Sequence, residues 1–128
     1  MSRVIHFEIH ASQPQRLVDF YTALFGWTIK RWGDLLYWTI DTGPAGQPGI
    51  NGGLLPRRGG PPEEMQPVSS FVCTVQVDAL DDALERSVKL GATPAFPKLA
   101  VPGVGWLAYI KDPDGNLLGL MQPDPTAA

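Results

Sequence analysis

One order of hydrophobic patterns runs through this chain twice. Residues 4–10, VIHFEIH, alternate apolar and ionisable positions with the period of a strand that has two distinct faces. Ser12 then stands where a helix cap belongs, with Pro14 in the first turn. Leu17, Phe20, Tyr21, Leu24 and Phe25 follow at the spacing of one helix face, and Gly26 stops it. Trp27–Trp32 and Leu35–Asp41 predict a hairpin turning at Gly33-Asp34, residues 43–49 a loop, and INGGLLP a short strand. The order then returns. Phe71–Val77 predicts a strand, and Leu80, Ala83, Leu84 and Val88 a helix stopped by Gly91. Ala92–Lys98, Val104–Lys111 and Leu117–Gln122 predict three more strands, the last two joined by a turn at Asp112-Pro113-Asp114-Gly115.

A shift of 66 residues makes the repeat checkable. It carries His6, Glu8 and His10 onto Val72, Thr74 and Gln76, and Gly53 onto Gly119. The fold class is therefore α+β, two βαβββ modules in one domain of residues 1–128. Module one spans 4–56 and module two 69–122. The Pro- and Gly-rich residues 57–68 form a linker, and 123–128 a frayed tail.

Composition excludes several classes of partner. The formal net charge is -3 and the sequence pI about 5.2. Nucleic acid and anionic membranes both select basic surfaces. Lys30-Arg31 and Arg57-Arg58 are too short to alter that and read as solvated loop charges. The single cysteine, Cys73, excludes an internal disulfide and lies on the apolar face of its strand. No apolar run approaches the roughly 20 residues of a membrane span. MSRVIHF leads straight into a strand pattern, so no leader is expected and a cytoplasmic location is the default. No loop matches a phosphate-binding motif, and Ser69 and Ser70 lack the setting of a hydrolase nucleophile.

Two stretches point to a family: VDFYTALFGW at 18–27 and DPDGNLLGLMQ at 112–122. In this order, on a βαβββ repeat, the chain resembles the vicinal oxygen chelate superfamily over nearly all of residues 4–122. That group includes glyoxalase I, bleomycin-resistance proteins and type I extradiol dioxygenases. The resemblance implies curled mixed sheets forming a cleft, and a homodimer that completes the clefts. It implies that Ile5, Phe7 and Ile9 pack under the helix while His6, Glu8 and His10 face the cleft. It also implies four metal-ligand positions, at His6, Gly53, near Val72 and at Gly119. Only the first carries a donor, so no metal and no other cofactor is expected.

The three ionisable residues of VIHFEIH cannot share one metal, and His6 and Glu8 can do so only with a further oxygen ligand from elsewhere or from a partner subunit. Neighbours on one strand face lie about 6.6–6.8 Å apart, so His6 and His10 are separated by about 13 Å. His6 and Glu8 instead suit an acid/base or substrate-orienting pair, because a carboxylate beside an imidazole fixes its tautomer and proton affinity. The alternative is that both only satisfy hydrogen bonds on a polar sheet face. His10 is expected at the rim. Trp38 and Trp106 occupy similar third-strand regions and, with Thr74 and Gln122, are candidate ligand-binding residues for an apolar or aromatic guest. Gly53 and Gly119 leave space that a larger guest can enter, or that only lets the strands pack closely. Two functions follow: metal-free small-molecule binding, or glyoxalase-like lyase or isomerase chemistry through His6 and Glu8, unaided or within a divergent metal site.

Overall fold

The computed structural model describes residues 2–63, 70–113 and 116–128. Residues 64–68 of the expected linker, Ser69 and the Asp114-Gly115 half of the expected turn lie outside the described residues. The elements follow the order βαβββ twice. They form two compact units, His6–Phe71 and a second that joins the residues up to Ile5 with Val72–Ala128.

In the first unit the strand order is β2 (Thr28–Arg31), β3 (Trp38–Asp41), β4 (Asn51–Pro56) and β1 (Val4–Ala11). β1 and β4 are parallel; the other pairs are antiparallel. Phe7, Ile9, Ala11, Ile40 and Leu54 form the core, against which Leu17 and Tyr21 of helix α1 (Pro14–Phe25) pack with Trp27 and Trp38. Burying each large side chain contributes about 1.5–3 kcal/mol. Ile5 does not join them. It is 39% exposed and groups with the second unit.

Two local expectations need correction. The residue capping α1 is Gln13, not Ser12, and no side chain bonds the cap. Pro14 fixes the φ of the first helical residue, so the helix starts one position beyond Ser12's reach. The hairpin is also looser than a Gly33-Asp34 turn. The Trp32 N–H donates to the Tyr37 carbonyl at 2.8 Å, and Arg31 Nε to the Leu35 carbonyl at 2.8 Å, so the connection wraps round the arginine. Gly26 ends α1 as expected, at φ 72°, a left-handed conformation that favours glycine.

In the second unit the order is β5 (Val72–Gln76), β8 (Leu117–Pro123), β7 (Gly105–Lys111) and β6 (Thr93–Val101). β5 and β8 are parallel, the rest antiparallel. Helix α2 (Leu80–Lys89) carries Asp81 and Asp82 in its first turn and Arg86 and Lys89 in its last, matching the helix dipole. Leu80, Ala108, Ile110 and Leu120 form the core. The C-terminal residues do not fray. The Asp124 N–H donates to Val104 and the Gly103 N–H to Ala127, each at 3.0 Å, and Ala127 is 4% exposed. No helix among the described residues is long and apolar enough to cross a membrane.

Candidate functional site

Strand register builds the site. Glu8 on β1 lies opposite Gly53 on β4, and Gly53 opposite Thr39 on β3. One position along, Ile9, Leu54 and Trp38 form the opposite, helix-bearing face. Tyr37 stands just before β3, at the same parity as Thr39. Its phenol reaches back over Gly53, where any added Cβ would collide with the ring and its hydroxyl. Glycine is what admits the tyrosine.

The Tyr37 hydroxyl joins two residues. It donates to Glu8 Oε2 at 3.1 Å and lies 2.9 Å from His6 Nε2. Because its hydrogen goes to the carboxylate, the hydrogen between the ring and the phenol belongs to His6 Nε2. Nδ1 is then the acceptor of a neutral imidazole. Burial lowers the His6 pKa from its ordinary value; the nearby Glu8 carboxylate opposes this and is the smaller effect. Glu8 is itself only 6% exposed. The arrangement can offer hydrogen bonds to a polar guest, and Nδ1 can take up a proton.

The other candidates are placed differently. His10 is half-buried, and its carbonyl accepts from Arg57 Nη2 at 2.9 Å. Trp38 shares the helix-bearing face with Leu54, not the face of Glu8, and the Arg31 guanidinium lies 5.5 Å from its ring. In the second unit, Thr74 is 3% exposed and lies opposite Gly119, which lies opposite Tyr109. Trp106 packs on the core beneath α2, donates Nε1–H to Asp124 Oδ2 at 3.0 Å and has Lys98 Nζ 5.0 Å from its ring. Gln122 Oε1 accepts the Leu80 N–H at 2.8 Å, satisfying one of the donors a helix start leaves free. The register also separates the two tryptophans. Trp106 pairs with Gln122, whereas the repeat places Ala108 where Trp38 stands.

The space beside both glycines is filled from within its own unit. Tyr37 takes it at Gly53; at Gly119 a Cβ would lie 2.8 Å from Thr74 Oγ1 and 3.2 Å from Tyr109 Cε1. Among the described residues, no group of three or more His, Cys, Asp or Glu is placed to hold a metal ion. Cys73 is free and half-buried.

The fold agrees with comparison to known proteins. The structure is similar to a glyoxalase/bleomycin resistance protein/dioxygenase superfamily member from Vibrio splendidus, with TM-score 0.64 and 16% identity over 97% of this chain and 100% of that one. It is similar to methylmalonyl-CoA epimerase from Mycobacterium tuberculosis, with TM-score 0.61 and 15% identity over 95% and 88%. It also resembles the Mn(II)-bound glyoxalase from Novosphingobium aromaticivorans, with TM-score 0.56 and 20% identity, where all of this chain covers 42% of that one. At these identities the likeness is one of fold. No curated protein matches the sequence. The family model described as a glyoxalase-like domain matches residues 6–121. With nearly the whole chain matched, and with βαβββ modules of the same fold as these neighbours, the protein belongs to the glyoxalase-like domain family.

Proposed function

We propose that this chain binds a small molecule without a metal, using the His6–Tyr37–Glu8 chain as a preorganised polar anchor. One observation carries the reading: the Tyr37 hydroxyl fills the space beside Gly53 and bonds both His6 and Glu8. The donor set does not suit a metal. His6 Nε2 is engaged with Tyr37, and neither Gly53, Val72 nor Gly119 has a side-chain donor. The guest is a polar one, hydrogen-bonded at this face, because Trp38 lies on the opposite side of its sheet. Two copies pair and cover Leu24 and Phe25, which α1 leaves more than half exposed.

A second reading has its own support. Burial favours neutral His6, and a neutral imidazole with Nδ1 as its acceptor is a base for a C–H beside a carbonyl. Proteins of similar fold include one named as an epimerase and another as a glyoxalase. On this reading the chain is a metal-independent isomerase or lyase.

A thermal-shift screen of chelator-treated protein against divalent metals and a panel of small carbonyl, carboxyl and hydroxyl compounds tests the proposal. A ligand of the native state raises the melting temperature. Hits that persist in chelator and vanish in Tyr37→Phe are expected. Stabilisation by divalent metals alone would overturn the binding reading.

A further inference from the structure

Where β1 gives way to α1, the first unit carries an open hollow of about 560 Å³. Arg16, Arg57 and His10 line it together with Leu17, Phe20 and Pro61. Arg57 is held firmly. Its backbone N–H donates to the Ala11 carbonyl at 2.8 Å and its Nη2 to the His10 carbonyl at 2.9 Å. Those bonds fix the guanidinium and leave its Nε buried with no hydrogen-bond partner among the described residues. A buried, unmatched donor is costly. No salt bridge among the described residues involves Arg16 or Arg57. The start of α1 acts in the same sense, with no side-chain cap and no acidic residue in its first turn.

We propose that this hollow binds a small organic oxyanion on an apolar body. Arg16 and Arg57 take the oxyanion, and Leu17 and Phe20 take the aromatic or aliphatic part. Arginine suits this because its planar fork matches carboxylate and phosphate oxygens. None of the residues involved belongs to the His6–Tyr37–Glu8 chain, so the inference is independent of the function proposed there.

Amide chemical-shift titrations of the full chain test it, with benzoate, phenyl phosphate, inorganic phosphate and benzyl alcohol as probes. Benzoate or phenyl phosphate should bind saturably, shifting amides around Arg16 and Arg57; the tighter of the two identifies the carboxylate or phosphate source. Arg16→Gln should weaken that binding about tenfold, the scale of one lost charge-assisted hydrogen bond. Arg16 is exposed, so the fold should survive. Tyr37→Phe should leave the affinity unchanged. The proposal is overturned if neither aromatic anion saturates, if inorganic phosphate or benzyl alcohol binds as tightly, or if Arg16→Gln binds like the parent.

Discussion

Replacing Gly53 with alanine adds one methyl group where the Tyr37 ring and hydroxyl now stand. Gly53 is not among the glycines at positive φ, so its backbone accepts alanine and the effect is steric. The neighbouring atoms belong to a side chain, so the phenol must move. Moving it breaks the bond to Glu8, a buried carboxylate, which costs about 1.5–3 kcal/mol. Overpacking adds about 1–3 kcal/mol. Together the loss should be about 2.5–6 kcal/mol. Small domains have urea slopes of about 1–3 kcal/mol per M, so the unfolding midpoint should fall by about 2 M. Tryptophan fluorescence in urea measures it. The decisive comparison places Gly53→Ala in a Tyr37→Ala background, where the space is already vacant. There the methyl should cost less than about 1 kcal/mol, giving a large coupling between the positions. Equal costs in both backgrounds, or a cost under about 0.5 kcal/mol in the parent, would show that Tyr37 does not occupy that space.

Further outcomes follow from the same geometry. Tyr37→Phe keeps the packing but loses both hydrogen bonds, and should lower stability in urea by about 2–4 kcal/mol, less than Gly53→Ala. The fold disfavours charged His6, so below about pH 6.5 the unfolded chain binds that proton more readily and stability falls with pH; above it this contribution is flat. His6→Gln should therefore show a smaller drop in urea midpoint between pH 7 and pH 5 than the parent, and an unchanged drop would argue against a lowered His6 pKa. Gln122→Ala frees the Leu80 N–H and should cost about 0.5–2 kcal/mol in a thermal melt, while Ser12→Ala, which removes no cap, should cost far less.

Much of the fold was legible because its signals are periodic. Alternation in VIHFEIH placed Phe7 and Ile9 inward. The shift of 66 residues reappears in the ladders, where Glu8 faces Gly53 and Thr74 faces Gly119. The site was less legible. Trp38 and Ile40 share a parity with Leu54, and that alternation alone assigns Trp38 to the core; aromatic content suggested a binding wall instead. Tyr37 lies 29 residues from Glu8, in a connection whose shape depends on Arg31 bonding the Leu35 carbonyl. Such long-range, side-chain-dependent placement has no local signature. A glycine opposite Glu8, with a tyrosine at matching parity just before the next strand, was the available clue. Gln122 was read as a ligand-binding candidate, and its capping role was missed for a related reason: its partner is a backbone N–H 42 residues away.

The proposed anchor depends on where the hydrogens lie between His6, Tyr37 and Glu8. Long-range proton–nitrogen NMR of the imidazoles in chelator-treated protein reads this directly. At pH 7, His6 should be neutral, with the hydrogen on Nε2 and none on Nδ1, and Tyr37→Phe should release that preference. A charged His6 at pH 7, or a neutral ring with its hydrogen on Nδ1, would contradict the account, as would a spectrum that reaches the Nε2–H form only when a divalent metal is added.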